Sequence, residues 1–147
     1  MIEAILTAQT EDERTLEVIR AIFLALVLFG FAFYGAEHWI VGHYLKSWQS
    51  KVPFYVSLVG FVLTLGLFFT RAPVVRYPFL VWMAVAVLAG TLGAYYHLAW
   101  NAQSAEVGVW TVKGFAEAFK GTRPVLAALA HTHIGATGLV VAFGIRK

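Results

Sequence analysis

Apolar residues run along this chain in four long stretches, residues 18–45, 52–70, 77–100 and 124–145, separated by short polar segments. A helix rises about 1.5 Å per residue, so about 20 residues cross about 30 Å of hydrocarbon, and each stretch is near or above that length. The pattern predicts an all-α integral membrane protein. Its expected form is an up-and-down bundle of four transmembrane helices in one transmembrane domain, residues 1–147, with a short amphipathic helix between spans three and four.

Local signals refine the elements. Thr10 followed by Glu13 is a capping-box pattern, and Glu11, Asp12 and Glu13 suit the positive end of a helix dipole, so the first helix should begin ahead of its apolar stretch. Pro53 and Pro124 fall at expected helix starts, while Pro73 and Pro78 bracket a tight turn before the third span. Between spans three and four, Trp110, Phe115 and Phe119 lie beside Lys113, Glu117 and Lys120, the mixture of an interfacial helix in the headgroup layer. The first ten residues hold Glu3 and no basic residue, and the following apolar stretch exceeds a signal-peptide core, so the first span should be retained. No internal repeat or inter-domain linker interrupts the pattern.

Composition agrees with a membrane setting, since 60% of residues are hydrophobic, 13% are charged and mean hydropathy is +0.74. The net charge of +3 does not indicate a nucleic-acid partner, because the basic residues fall mainly between apolar stretches and act as topology signals. One side of a four-span protein carries Arg14, Arg20, Arg71, Arg76, Arg146 and Lys147; the other carries Lys46, Lys51, Lys113, Lys120 and Arg123. Six against five favours cytoplasmic termini under the positive-inside rule. With no cysteine, disulfides, thiolate metal sites, iron–sulfur ligation and a Cys nucleophile are excluded.

The histidines carry the candidate chemistry. His38 and His43 come late in span one, His97 late in span three, and His131 and His133 early in span four. Alternating span direction brings all of them to the second side, within about 5 to 15 Å of the span ends. Glu37 joins that layer. Gly35, His38 and Gly42 share one helical face, Ala86, Gly90, Gly93, His97 and Asn101 another, and His131, Gly135, Gly138 and Ala142 a third. Span two has no histidine, and its Ser57, Gly60, Thr64 and Gly66 point to a scaffolding role.

Intramembrane ionisable groups usually face the bundle interior, which makes these residues site candidates. One reading is a b-type haem held axially by His97 with His38 or His131, the glycines leaving room for the macrocycle. A second is a transition-metal site among Glu37, His38, His97, His131 and His133. Its spacing is poor, because His131 and His133, like Glu37 and His38, diverge around a helix. A third is a quinone or lipid pocket with His97, Asn101 or Glu37 bonding the polar head. Against all three stands close helix packing through small residues, with the histidines making interhelical hydrogen bonds. Trp39, Trp48, Trp100 and Trp110 lie on the same side and form an aromatic belt. Phosphate loops, dinucleotide fingerprints, GxSxG and HExxH are absent, which argues against a hydrolase, pump or ATP-driven enzyme.

The segments His97-Leu98-Ala99-Trp100-Asn101, Glu117-Ala118-Phe119-Lys120-Gly121 and Pro124-Val125-Leu126-Ala127, with Gly42-His43, Trp48-Gln49 and Pro53, resemble a type of small bacterial four-span membrane protein that has no assigned activity. The resemblance implies the four-span fold and a bacterial membrane, and departs at Ala130–Gly135, where histidines are added. The expectation is a small non-catalytic subunit or scaffold of a larger respiratory or photosynthetic membrane assembly in the bacterial cytoplasmic membrane. It would contact the lipid bilayer and either other membrane subunits or copies of itself in a homo-oligomer. The alternatives are a haem b electron-transfer protein interacting with quinone, hence a membrane oxidoreductase, and a non-haem metal-binding protein.

Overall fold

The computed structural model describes residues 2–143 and 145 of the chain. Every regular element among them is helical: α1 (Ile2–Leu6), α2 (Glu11–Ile40), a 3-10 turn at His43–Leu45, α3 (Trp48–Phe69), α4 (Pro73–Ser104), α5 (Val112–Phe119) and α6 (Val125–Ala142). Four of these, α2, α3, α4 and α6, are long and apolar enough to cross a membrane, so the chain is read as a membrane protein in contact with lipid.

The helix boundaries follow local chemistry. Helix α2 starts at the Thr10 capping box, in which the Thr10 hydroxyl accepts from the Glu13 N–H and the Glu13 carboxylate accepts from the Thr10 N–H. It stops at Ile40, short of residue 45 where the apolar run ends, because Gly42 adopts the left-handed conformation (φ 61°) that turns the chain into the 3-10 segment. A second reciprocal cap, Ser47 with Ser50, starts α3 at Trp48. This cap places Pro53 inside the helix instead of at its first turn. Helix α4 likewise begins at Pro73 and runs to Ser104, beyond both ends of the 77–100 stretch, with Pro78 inside it. Pro124 is the N-cap of α6, as its position implies. Arg146 and Lys147, counted above toward cytoplasmic termini, lie outside the described residues.

Neighbouring helices contact one another in a closed order: α2 with α3, α3 with α4, α4 with α6, and α6 back with α2. Contacting residues run in opposite chain order in each pair. Gly60 meets Phe31 and Ser57 meets Gly35 between α3 and α2; Met83 meets Gly135 and Gly90 meets Thr132 between α4 and α6. Between them Leu24, Val27, Phe31, Val56, Leu67, Phe79, Met83, Ala86, Ile134 and Val141 form the apolar core. The α4–α6 seam is the most extensive because its glycines let the two backbones touch. One end of the bundle, near Arg20, Arg71 and Arg76, is charged; the other gathers the histidines and most of the tryptophans.

Candidate functional site

The histidine end is built on a polar joint across three helices. His131, on α6, is 2% exposed, and its Nε2 shares a 2.9 Å hydrogen bond with the Ser57 hydroxyl of α3. Ser57 is itself fully buried, so each group supplies the partner that burial demands of the other. The α2 side closes over the ring. Tyr34 lies 5.8 Å from His131 between ring centroids, and His38 meets His131 edge-to-face at 5.9 Å. His43, in the 3-10 turn, packs edge-to-face on His38 at 5.2 Å. Three imidazoles thus run from the half-exposed turn to the buried joint.

Backbone carbonyls orient two of the histidines. His38 Nδ1 donates to the Tyr34 carbonyl at 2.7 Å, and His97 Nδ1 donates to the Pro124 carbonyl at 3.0 Å. A carbonyl only accepts, so Nδ1 carries the proton on both rings. In the neutral tautomer each Nε2 keeps its lone pair. Around His43, burial, followed by the nearby His38, Lys46 and His97, pushes the imidazole below the ordinary histidine value of 6.5. His97 is the smallest of the charge contributions at His43, and its own ring contact is with Trp100 at 6.2 Å.

Other sequence candidates fall outside the cluster. Glu37 and His133 are exposed on their helices, on faces that diverge from their neighbours His38 and His131. Asn101, considered above for a polar headgroup, is 1% exposed and fully committed. Its Nδ2 donates to the Ala118 and Arg123 carbonyls, both at 2.9 Å, and its Oδ1 accepts from the Arg123 N–H at 3.1 Å. The amide thereby clamps the segment that leads through α5 to α6. Among the described residues, no group of three or more His, Asp or Glu side chains has the arrangement of a metal site.

The small-residue faces serve packing. A Cβ at Gly90 would collide with the Thr132 backbone nitrogen, one at Gly135 with the Met83 carbonyl, and one at Gly138 with the Met83 side chain. The seam beside His97 and His131 is occupied by helix against helix. Sequence reasoning missed Ser57 as the partner of His131. The available signal was a hydroxyl in the middle of an otherwise apolar span, a group that must find an acceptor or donor once buried.

Aromatic rings surround this end. Trp39, Tyr44 and Phe54 stack at centroid separations of 5.0 to 6.1 Å, Tyr96 stacks on Trp100 at 5.5 Å, and the Arg123 guanidinium lies 5.7 Å over Trp100. Chemically, the arrangement offers a rigid layer of imidazoles, two of them with an oriented Nε2, and a buried hydroxyl–imidazole bond. No known protein family, curated protein or solved structure matches the chain.

Proposed function

We propose that this chain is a small non-catalytic subunit or scaffold of a larger membrane assembly of the respiratory or photosynthetic kind. In this reading it folds as an up-and-down four-helix bundle in a bacterial cytoplasmic membrane with both termini in the cytoplasm, and α5 rests in the headgroup layer beside the aromatic belt. The observation that carries the reading is the buried Ser57–His131 joint. The most deeply placed histidine is spent on holding α3 to α6, and the adjoining glycine seam is filled by backbone. A layer organised in this way stiffens one end of the bundle and presents a rigid aromatic surface to partner subunits. The connections between the four long helices are short, the longest being the residue 105–124 segment that carries α5.

A specific observation favours one alternative, b-type haem held by His97 and His38. Both rings are keyed through Nδ1 to a carbonyl, the orientation that leaves Nε2 free for an axial bond. In that reading His131 supports the site through Ser57 and is not an iron ligand.

The test is solubilisation from native membranes in mild detergent, followed by native electrophoresis, protein identification and absorption spectra before and after dithionite. Co-migration in a complex with only aromatic absorption supports the subunit reading. Migration as a lone species overturns it. A Soret band that sharpens on reduction, lost in His97→Ala and His38→Ala, establishes the haem alternative.

A further inference from the structure

The turn that ends α2 brings together two side chains that a continuous helix would hold apart. On an unbroken α-helix the spacing of His38 and His43 would put them about 140° apart around the axis and about 7.5 Å apart along it. The chain instead leaves the helix after Ile40 and reverses through Gly42, whose left-handed backbone (φ 61°) leads into the His43–Leu45 turn. The two imidazoles then lie edge-to-face, with ring centroids 5.2 Å apart. The same reversal stacks their chain neighbours, Trp39 and Tyr44, at 5.3 Å and 9° between planes, and Tyr44 stacks on Phe54 of α3 at 5.0 Å. The turn carrying His43 is thereby pinned both to α2 and to α3.

The ring nitrogens of this pair are available. His38 Nδ1 donates to the Tyr34 carbonyl at 2.7 Å, so Nε2 keeps its lone pair and has no hydrogen-bond partner. The His43 ring packs on His38 and makes no hydrogen bond among the described residues. Both residues are half-buried, and neither ring has an unpartnered nitrogen sealed from solvent. Burial, then the nearby His38, Lys46 and His97, lower the proton affinity of His43 and keep its ring neutral at neutral pH, the form that binds metal. His131 differs, since its Nε2 is committed to Ser57 and the residue is 2% exposed. A transition-metal ion lies about 2.0–2.1 Å from an imidazole nitrogen, so two imidazoles sharing one ion at a tetrahedral angle have centroids about 5 Å apart. The His38 and His43 rings already stand at that spacing. Aiming a His43 nitrogen at the shared point requires only turning a ring that no hydrogen bond holds.

We propose that His38 Nε2 and one ring nitrogen of His43 bind a divalent transition-metal ion of the zinc type at the turn between α2 and α3, with water completing its coordination. The Tyr34 carbonyl is the outer partner that fixes the His38 tautomer and ring orientation. With two protein ligands the site is open and exchangeable, in keeping with the lack of a three-ligand group among the described residues. It uses the nitrogen that haem would take on His38, so the two cannot occupy that residue together. The subunit reading stands or falls separately.

Calorimetric titration of zinc chloride into the full chain in mild detergent, after treatment with a chelator, tests this. Wild type should bind one zinc ion per chain. His43→Gln and His38→Gln should each weaken binding at least about tenfold, the loss of a ligand costing no less than the loss of an outer partner. His97→Gln and His133→Gln should leave it unchanged. His43→Cys, in a chain that has no cysteine, should restore what His43→Gln removes, because a thiolate also serves zinc. Should His38→Gln fail to fold, the two His43 variants still decide the matter, since that ring lies in a half-buried turn and makes no hydrogen bond. Absence of saturable binding in wild type, equal binding by His43→Gln, or an equal loss in His97→Gln overturns the site.

Discussion

Ser57 and His131 show how much one hydroxyl decides in an apolar setting. Neither group reaches water, so removing one takes from the other a partner that burial demands. Ser57→Ala should destabilise the protein by about 1–3 kcal/mol in thermal unfolding in detergent. Stability equal to wild type would show that the joint contributes nothing. His43 makes the complementary case at the rim of the cluster. Burial, His38, Lys46 and His97 favour its neutral form, so the unfolded chain binds more protons than the folded one as pH falls below 6.5. The stability contribution is complete above 6.5 and is lost as pH drops from there through the lowered folded value. The expected result is a melting temperature that declines below 6.5, with a shallower decline in His43→Gln. Parallel curves for the two proteins would remove His43 from the account.

At the level of elements, the seam between α4 and α6 rests on what glycine lacks. Gly90, Gly135 and Gly138 each stand where a methyl group would strike a neighbouring helix, and at Gly90 and Gly135 the struck atoms are backbone, which cannot swing aside. Gly90→Ala should therefore cost about 1–3 kcal/mol, the range for overpacking, measured by the same thermal unfolding. Gly108→Ala, where an added Cβ meets nothing within 4 Å, should be near neutral. Equal effects at both positions would show that the seam is not close-packed. The helices' extents were only partly legible in the sequence for a related reason. The Thr10–Glu13 box could be read because its signal is local, and so could the proline at the start of α6. The Ser47–Ser50 cap was missed, since Ser at the third helical position replaces the usual Glu or Gln. The end of α2 was placed too late because hydropathy continues through residues 41–45 while the backbone turns at Gly42.

For the whole molecule, the two ends differ in kind. One end joins histidines, aromatic rings and the Asn101 clamp; the other joins arginines to Glu17 and to the carbonyls beyond α6. The sequence by itself determined the membrane class, the four apolar helices and the gathering of histidines at one end. These follow from helix rise, hydrocarbon thickness and alternating direction, all properties of a chain read one segment at a time. It also indicated that adjacent pairs such as His131 and His133 would part company, because a helix turns about 100° per residue. Only the tertiary structure decided which histidine is buried, that Ser57 is its partner, and that Asn101 clamps a connection. Each depends on the rotation and depth of one helix against another. Many packing arrangements share the same hydropathy pattern, and the choice among them is made by contacts between residues far apart in the chain.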